Sequence, residues 1–91
     1  MVLIRRVSGD SMSPAYKSGS VVVAKGSAAS ANVGDVVIVR HGGLEKIKRV
    51  QQIKNGRVFL VGDNHESSTD SRNFGWISLD SIVAKVIWPR R

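Results

Sequence analysis

The apolar residues of this chain fall into six short runs rich in β-branched side chains, and turn-forming residues separate each run from the next. Runs of this kind predict β-strands, and no long 3.6-residue periodicity competes with them. The strongest hairpin signal is Asn55-Gly56, because a two-residue type I′ turn needs positive φ at both central positions. The predicted strands cover residues 2–7, 20–25, 35–40, 44–54, 57–61 and 82–88.

Six short strands at close spacing predict an all-β fold, namely a small coiled, mostly antiparallel sheet or a partly open barrel. A chain of 91 residues is expected to form a single domain, here over residues 1–91. Single helical turns are predicted near residues 12–16 and 78–82, and Ser78 is a suitable cap for the second.

The composition excludes several classes of function. Cysteine is absent, which excludes disulfide scaffolds, zinc–thiolate sites, iron–sulfur clusters and a cysteine nucleophile. With only two histidines besides, no metal and no cofactor is expected. No apolar run approaches the ~18–20 residues that span a bilayer, and the N-terminus does not have the pattern of a signal peptide. The chain as given is therefore expected to be soluble.

The charge balance is strongly basic, with 14 Lys and Arg against 7 Asp and Glu and a net charge of +7. An excess of this sign suits nucleic acid, an anionic membrane surface or an acidic protein partner. The cations are dispersed, however, and form no basic helix or tail. A solvated cationic surface explains them equally well.

Two polar segments, residues 8–14 and 62–75, are longer than a small sheet needs for its turns, and long structured loops usually carry function. In the first segment Ser11 follows Gly9 on a tight turn, where nearby N–H groups can face one point, as an oxyanion requires. Met12 can form a hydrophobic floor beside the serine. A plain Ser/Gly/Pro turn is the alternative interpretation, and the motif alone favours it.

A nucleophilic serine needs a general base. Neither His41 nor His65 has neighbours in the sequence that would orient an imidazole. A lysine is the other route, but only where burial lowers its pKa, which is otherwise about 10.4.

The strand over residues 44–54 carries the candidate lysines. Alternation places Lys46 and Lys48 on the same face as Val50 and Gln52. Periodicity alone therefore cannot choose between the two lysines. Solvent-exposed lysines on an edge strand are the alternative interpretation.

The second polar segment contains Asp70 and Arg72, which can form a charge-assisted pair that rigidifies the loop. Asp63 and Asn64 have the character of turn-fixing residues. A solvated loop and a calcium loop are alternatives, but the spacing lacks the pattern of a calcium-binding loop. Hydroxyls that can bond a lysine amine are supplied by Ser67, Ser68, Thr69 and Ser71.

Taken together, these motifs resemble the signal peptidase I family of Ser–Lys proteases, with a more distant likeness to the self-cleaving LexA-type repressor domain. The likeness runs from Val7 to Trp88, and four blocks match in order. They are the nucleophile box Gly9-Asp10-Ser11-Met12-Ser13-Pro14, the strand Gly34-Asp35-Val36-Val37-Ile38-Val39, the lysine strand Ile47-Lys48-Arg49-Val50, and the loop with Gly62-Asp63-Asn64, Ser68, Asp70-Ser71-Arg72 and Gly75.

The resemblance implies a catalytic-domain fold of the signal peptidase–LexA type and assigns the catalytic residues. It makes Ser11 the nucleophile and Lys48 the general base, which decides against Lys46. It makes Ser68 the hydroxyl that orients the lysine. It also implies that the Ser11 backbone N–H donates to the oxyanion.

The same resemblance assigns the supporting residues. Met12 lines the substrate pocket, and Asp63, Asn64, Asp70 and Arg72 form the structural loop. In some relatives a serine two positions before the nucleophile completes the oxyanion hole. That position is Gly9 here, so this side-chain donor is missing.

The implied function is a serine endopeptidase that binds an extended precursor protein or peptide and removes an N-terminal signal peptide or propeptide, typically after small residues. No nucleic-acid partner is expected. A small soluble branch of the family, the maturation proteases of nickel-type superoxide dismutase, is similar at Val39-Arg40-His41, residues 68–75 and Trp88-Pro89. The rival interpretation is a non-catalytic β-barrel module whose cationic face binds nucleic acid or membrane.

Location in the cell follows from the family pattern. Typical signal peptidases carry an N-terminal membrane anchor and larger insertions, which this sequence lacks. A cytoplasmic protein is expected if the chain is complete, and a membrane-associated protein with an external active site if an anchor was removed.

Overall fold

A computed structural model describes residues 1–26, 30–64, 66 and 69–91. Its strands follow the β-branched runs closely, and the type I′ hairpin is confirmed, since Asn55 and Gly56 have φ values of 51° and 75°. The elements are β1 (Val2–Arg6), β2 (Val21–Lys25), β3 (Val36–His41), β4 (Leu44–Lys54), β5 (Arg57–Val61), α1 (Ser71–Phe74), β6 (Ile77–Ser78), a 3₁₀ turn (Leu79–Ser81) and β7 (Ile82–Trp88).

The strands form one open seven-stranded sheet in the order β1-β2-β7-β3-β4-β5-β6, and all six neighbouring pairs are antiparallel. The prediction of a small, all-β, mostly antiparallel fold is confirmed. Strand β4 is shared unevenly between its neighbours. Among the described residues, 44–48 pair only with β3, whereas 49–54 pair largely with β5, so residues 44–47 form an edge of β4 with no second partner strand in the described part of the chain, here called the free edge.

The apolar side chains of the sheet pack into two clusters. Strand β3 supplies both of them, since Val36 and Ile38 belong to the first cluster and Val37 and Val39 to the second. The first also contains Val7, Met12, Tyr16, Val22, Ala24, Ala84 and Val86; the second also contains Ala31, Val50, Val58, Leu60 and Ile82. The residues that follow β1 therefore lie on the first cluster, and the middle of β4 lies on the second.

Three features differ from the sequence-based expectations. The short strand β6 and the helix α1 occur where only loop was predicted. A bulge between Val50 and Gln52 breaks the alternation of β4, which exposes Gln52 and turns Ile53 onto the same cluster as Val50. Alternation was thus right up to Val50 and wrong beyond it.

Within the part of the chain that the structure describes, no helix has the length and apolar character needed to span a membrane.

Candidate active site

The turn that carries Ser11 follows β1 and is stabilised by hydrogen bonds between its own residues. The Ser13 N–H donates to the Asp10 carbonyl at 3.1 Å, and the Tyr16 N–H donates to the Met12 carbonyl at 2.9 Å, which is the helical turn predicted here. Met12 is 1% exposed and packs in the first cluster, so an apolar side chain anchors the turn to the core. Ser11 itself is only partly buried and stays accessible.

Gly9 has a φ of 83°, a backbone conformation that residues with a side chain rarely adopt. The position at which some relatives carry a serine is thus held here in a geometry that favours glycine. A Cβ built on Gly9 has no atom within 4 Å, so the constraint comes from the backbone and not from crowding.

Main-chain contacts tie the turn to the second polar segment. The Asn64 N–H donates to the Ser11 carbonyl at 2.8 Å, and the Asp63 N–H donates to Met12 Sδ at 3.5 Å. The Asp63 carboxylate accepts two bonds from Arg49, both at 2.8 Å. The Arg49–Asp63 pair, which the sequence did not reveal, therefore links β4 to the loop beside Ser11.

The two candidate lysines of β4 differ in burial. Lys48 is 4% exposed, whereas Lys46 is only partly buried and its Nζ lies 5.2 Å from the centroid of the Phe74 ring. Burial lowers the pKa of Lys48 from its ordinary value, and the charges of Lys46 and Arg72 add to that effect while Asp70 opposes it. Lys48 is therefore the lysine whose surroundings favour the neutral amine.

The predicted ion pair between Asp70 and Arg72 is confirmed. Asp70 is fully buried, and its carboxylate accepts from the Arg72 side chain at 2.9 and 2.5 Å and from the Gly62 N–H at 2.7 Å. It also caps α1 by accepting from the Arg72 N–H at 3.0 Å, while Asn73 completes a capping box. One buried carboxylate thus holds both ends of the loop that starts after β5.

Ser68, the predicted lysine-orienting hydroxyl, lies outside the described residues, as does His65. The orienting role of Ser68 stays a prediction. His41 is described, but its ring stacks on Phe74 with centroids 4.2 Å apart.

A cavity of about 360 Å³ brings the two halves of the site together. One side is formed by the end of β1 and the turn through Met12, the other by residues 45–48 of β4, with Ile38 between them. Ser11 and Lys48 both line it, as do Met12 and Thr69. Such a cavity can receive an extended peptide beside a hydroxyl and a buried amine.

No cluster of three or more His, Asp or Glu side chains that could hold a metal ion occurs among the described residues.

Comparison with known proteins adds a family-level result. The Peptidase S24-like family model matches residues 1–87. Signal peptidase I of Bacillus caldolyticus is 41% identical over 49 residues, which cover 50% of this chain and 27% of the relative. Signal peptidase IB of Staphylococcus aureus (strain N315) is 50% identical over 40 residues, covering 41% of this chain and 21% of the relative. The chain thus spans about a quarter of the length of the curated relatives it matches.

Proposed function

Because this chain belongs to the Peptidase S24-like family and is signal peptidase I-like, we propose that it is a serine endopeptidase with a Ser11–Lys48 dyad. The observation that carries the proposal is the burial of Lys48 on the wall of the cavity that Ser11 also lines. A buried amine with a lowered pKa is what a lysine needs to act as a general base.

The proposed reaction is acyl transfer through Ser11. Neutral Lys48 takes the proton from the Ser11 hydroxyl as Oγ attacks the peptide carbonyl, and the Ser11 N–H donates to the oxyanion. The Lys48 ammonium then gives the proton to the departing amine, which breaks the peptide bond and leaves an ester. Water, deprotonated by Lys48, hydrolyses the ester. Ser68 is proposed to orient the amine throughout.

The proposed substrate is a precursor protein whose N-terminal signal peptide or propeptide is bound in extended form. The free edge of β4 at residues 44–47 supports this, because an extended chain can add its backbone hydrogen bonds to such an edge. The narrower proposal is maturation of nickel-type superoxide dismutase, which rests on the resemblance at residues 39–41, 68–75 and 88–89 alone.

The test is to incubate the purified chain with candidate precursors and to map the new N-termini by mass spectrometry. We expect one defined cleavage by the wild type and none by Ser11→Ala or Lys48→Ala. Lys54→Ala is the matched control, since it removes an exposed lysine from the far end of the same strand. Cleavage that survives in Lys48→Ala would refute the dyad.

The binding-module alternative predicts a different pattern. Salt-sensitive binding to DNA that is unchanged in Ser11→Ala, with no cleavage of any precursor, would favour it.

A further inference from the structure

The cavity contains an ion pair that the proposed reaction does not use. Arg5 Nε donates to Glu45 Oε1 at 2.8 Å, and Arg5 Nη2 donates to Glu45 Oε2 at 3.3 Å. Arg5 lies on β1 and Glu45 on β4, and three strands separate β1 from β4 in the sheet order. The pair therefore spans the opening between two strands that are not neighbours, and both residues line the cavity that holds Ser11.

The charges around this cavity do not balance. Its lining includes four basic side chains and two carboxylates, namely Arg5, Arg6, Lys46, Lys48, Asp10 and Glu45. Three cations remain even when Lys48 is neutral. The Glu45 carboxylate is already engaged, since Arg40, outside the lining, approaches it at 3.5 Å in addition to Arg5. The hydrogen bond from Arg5 lowers the pKa of Glu45, which keeps it ionised.

We propose that the cavity selects peptides with an acidic side chain near the scissile bond, and that Arg5 is the residue that reads this charge. The inference rests on the proposed peptidase function and names its substrate class. A guanidinium bonds a carboxylate through two parallel hydrogen bonds, and Arg5 already makes this contact with Glu45. A substrate carboxylate that displaces Glu45 from Arg5 makes the same two bonds.

Accessibility favours this exchange. The side chains of Arg5 and Glu45 are 40% and 27% exposed, so a peptide passing between β1 and β4 meets them without unfolding either strand. A basic substrate side chain would meet three cations and two carboxylates, of which Glu45 is already bonded to Arg5. Glu45 thus acts as a built-in competitor for the acidic residue of the substrate.

The experiment uses fluorescein-labelled twelve-residue peptides with alanines at the centre and Glu, Gln or Lys at one flanking position, scanned over the flanks. Binding to Ser11→Ala is measured by anisotropy and cleavage by the wild type as KM and kcat. At the position that faces Arg5 we expect Glu to bind about two- to fivefold more tightly than Gln, and Lys more weakly than Gln, because partly exposed ion pairs have modest energies.

The charge preference has three further signatures. It should appear in KM and not in kcat, and shrink when the ionic strength rises to about 0.5 M, where charges are screened. In the Ser11→Ala background, Arg5→Gln should abolish it and Glu45→Gln should increase it. Arg40→Gln is the matched control, because it removes an arginine that contacts Glu45 from outside the cavity and should keep the preference.

Equal binding of the Glu, Gln and Lys peptides at every position would overturn the inference, as would a preference that persists in Arg5→Gln. Cleavage that depends on Ser11 but ignores charge would overturn the inference and leave the proposed function intact. A preference for Glu in binding with no cleavage of any peptide or precursor would support the charge selection and count against the proposed function.

Discussion

The two sides of the cavity are built in different ways. Its inner wall, formed by Ser11, Met12 and Lys48, is held by main-chain hydrogen bonds, and the side chains of Met12 and Lys48 are almost fully buried. Its rim, formed by Arg5, Glu45 and Lys46, is held by side-chain contacts that remain partly open to water.

The difference shows what burial does to a charge. In the inner wall, loss of water lowers the pKa of Lys48 and so changes its acid–base chemistry. At the rim, Glu45 keeps its charge, and the guanidinium of Arg5 is placed to attract carboxylates and repel cations. The wall is suited to making and breaking bonds, and the rim to selecting what is cut.

The largest expected effect comes from removing the amine of the inner wall. Lys48→Met should lower the cleavage rate by roughly 10³-fold or more, because loss of either the nucleophile or its base removes the catalytic effect of the pair. The melting temperature of Lys48→Met is measured alongside the rate, so that loss of chemistry is separated from loss of fold. Lys46→Met should act mainly on KM. A larger loss of activity in Lys46→Met than in Lys48→Met would contradict the different roles of the inner wall and the rim.

The next effect concerns the loop behind the inner wall. Arg72→Ala removes the guanidinium that bonds the buried Asp70 carboxylate and should lower the free energy of unfolding by about 1–3 kcal/mol, with a loss of activity. Urea denaturation measures the free energy of unfolding, and the precursor assay measures the activity. Arg57→Ala, which removes an exposed arginine from β5, is the control. Equal stability of Arg72→Ala and wild type would show that the pair does not hold the loop.

Cleavage rate and stability, measured over a series of pH values, test the role of Lys48 in the inner wall. The cleavage rate should rise with pH through the pKa of Lys48, on a limb that lies below the range of a free lysine, because the neutral amine is the active form. Stability should rise with pH from the lowered pKa of folded Lys48 up to the ordinary lysine pKa, because in that range the unfolded chain still binds the proton that the folded chain has released.

That rise in stability, which is measured as the melting temperature at each pH, should be absent in Lys48→Met. A wild-type rate limb centred near the pKa of histidine would contradict the assignment of the base.

The smallest expected effect is at the histidines. His41→Ala removes the stack on Phe74 and should lower the free energy of unfolding by about 0.5–1.5 kcal/mol, while the shape of the pH–rate profile stays unchanged. His65→Ala should also leave the profile unchanged. Loss of the rising limb of the pH–rate profile in either histidine variant, with Lys48→Ala still active, would support a Ser–His mechanism instead.

Much of the sheet could be predicted from local signals. β-Branched runs and turn residues gave β4, β5 and β7 with the observed bounds, because burial of alternate side chains and turn geometry act over a few residues. The helix α1 was missed because its capping box is hidden in a polar stretch. The spacing of Asp70 and Asn73, with a carboxylate at the cap position, was the signal that would have found it.

The site depended on contacts that no local pattern contains. Lys46 and Lys48 share a face in the sequence, and only the packing of the finished sheet buries one deeper than the other. The pairs Arg5–Glu45 and Arg49–Asp63 join residues 40 and 14 positions apart, so neither follows from spacing. The family resemblance selected Lys48 where periodicity could not, and Lys48 is the more deeply buried of the two lysines.

The free edge of β4 has a consequence for the behaviour of the protein in concentrated solution. An edge that accepts a peptide can also accept the same edge of another copy and so nucleate an intermolecular sheet. Lys46 lies in the middle of this edge and is partly exposed. When two copies pair antiparallel about Lys46, the two Lys46 side chains lie opposite each other, and like charges across a pair of strands repel. In that register the charge of Lys46 opposes self-association of the strand.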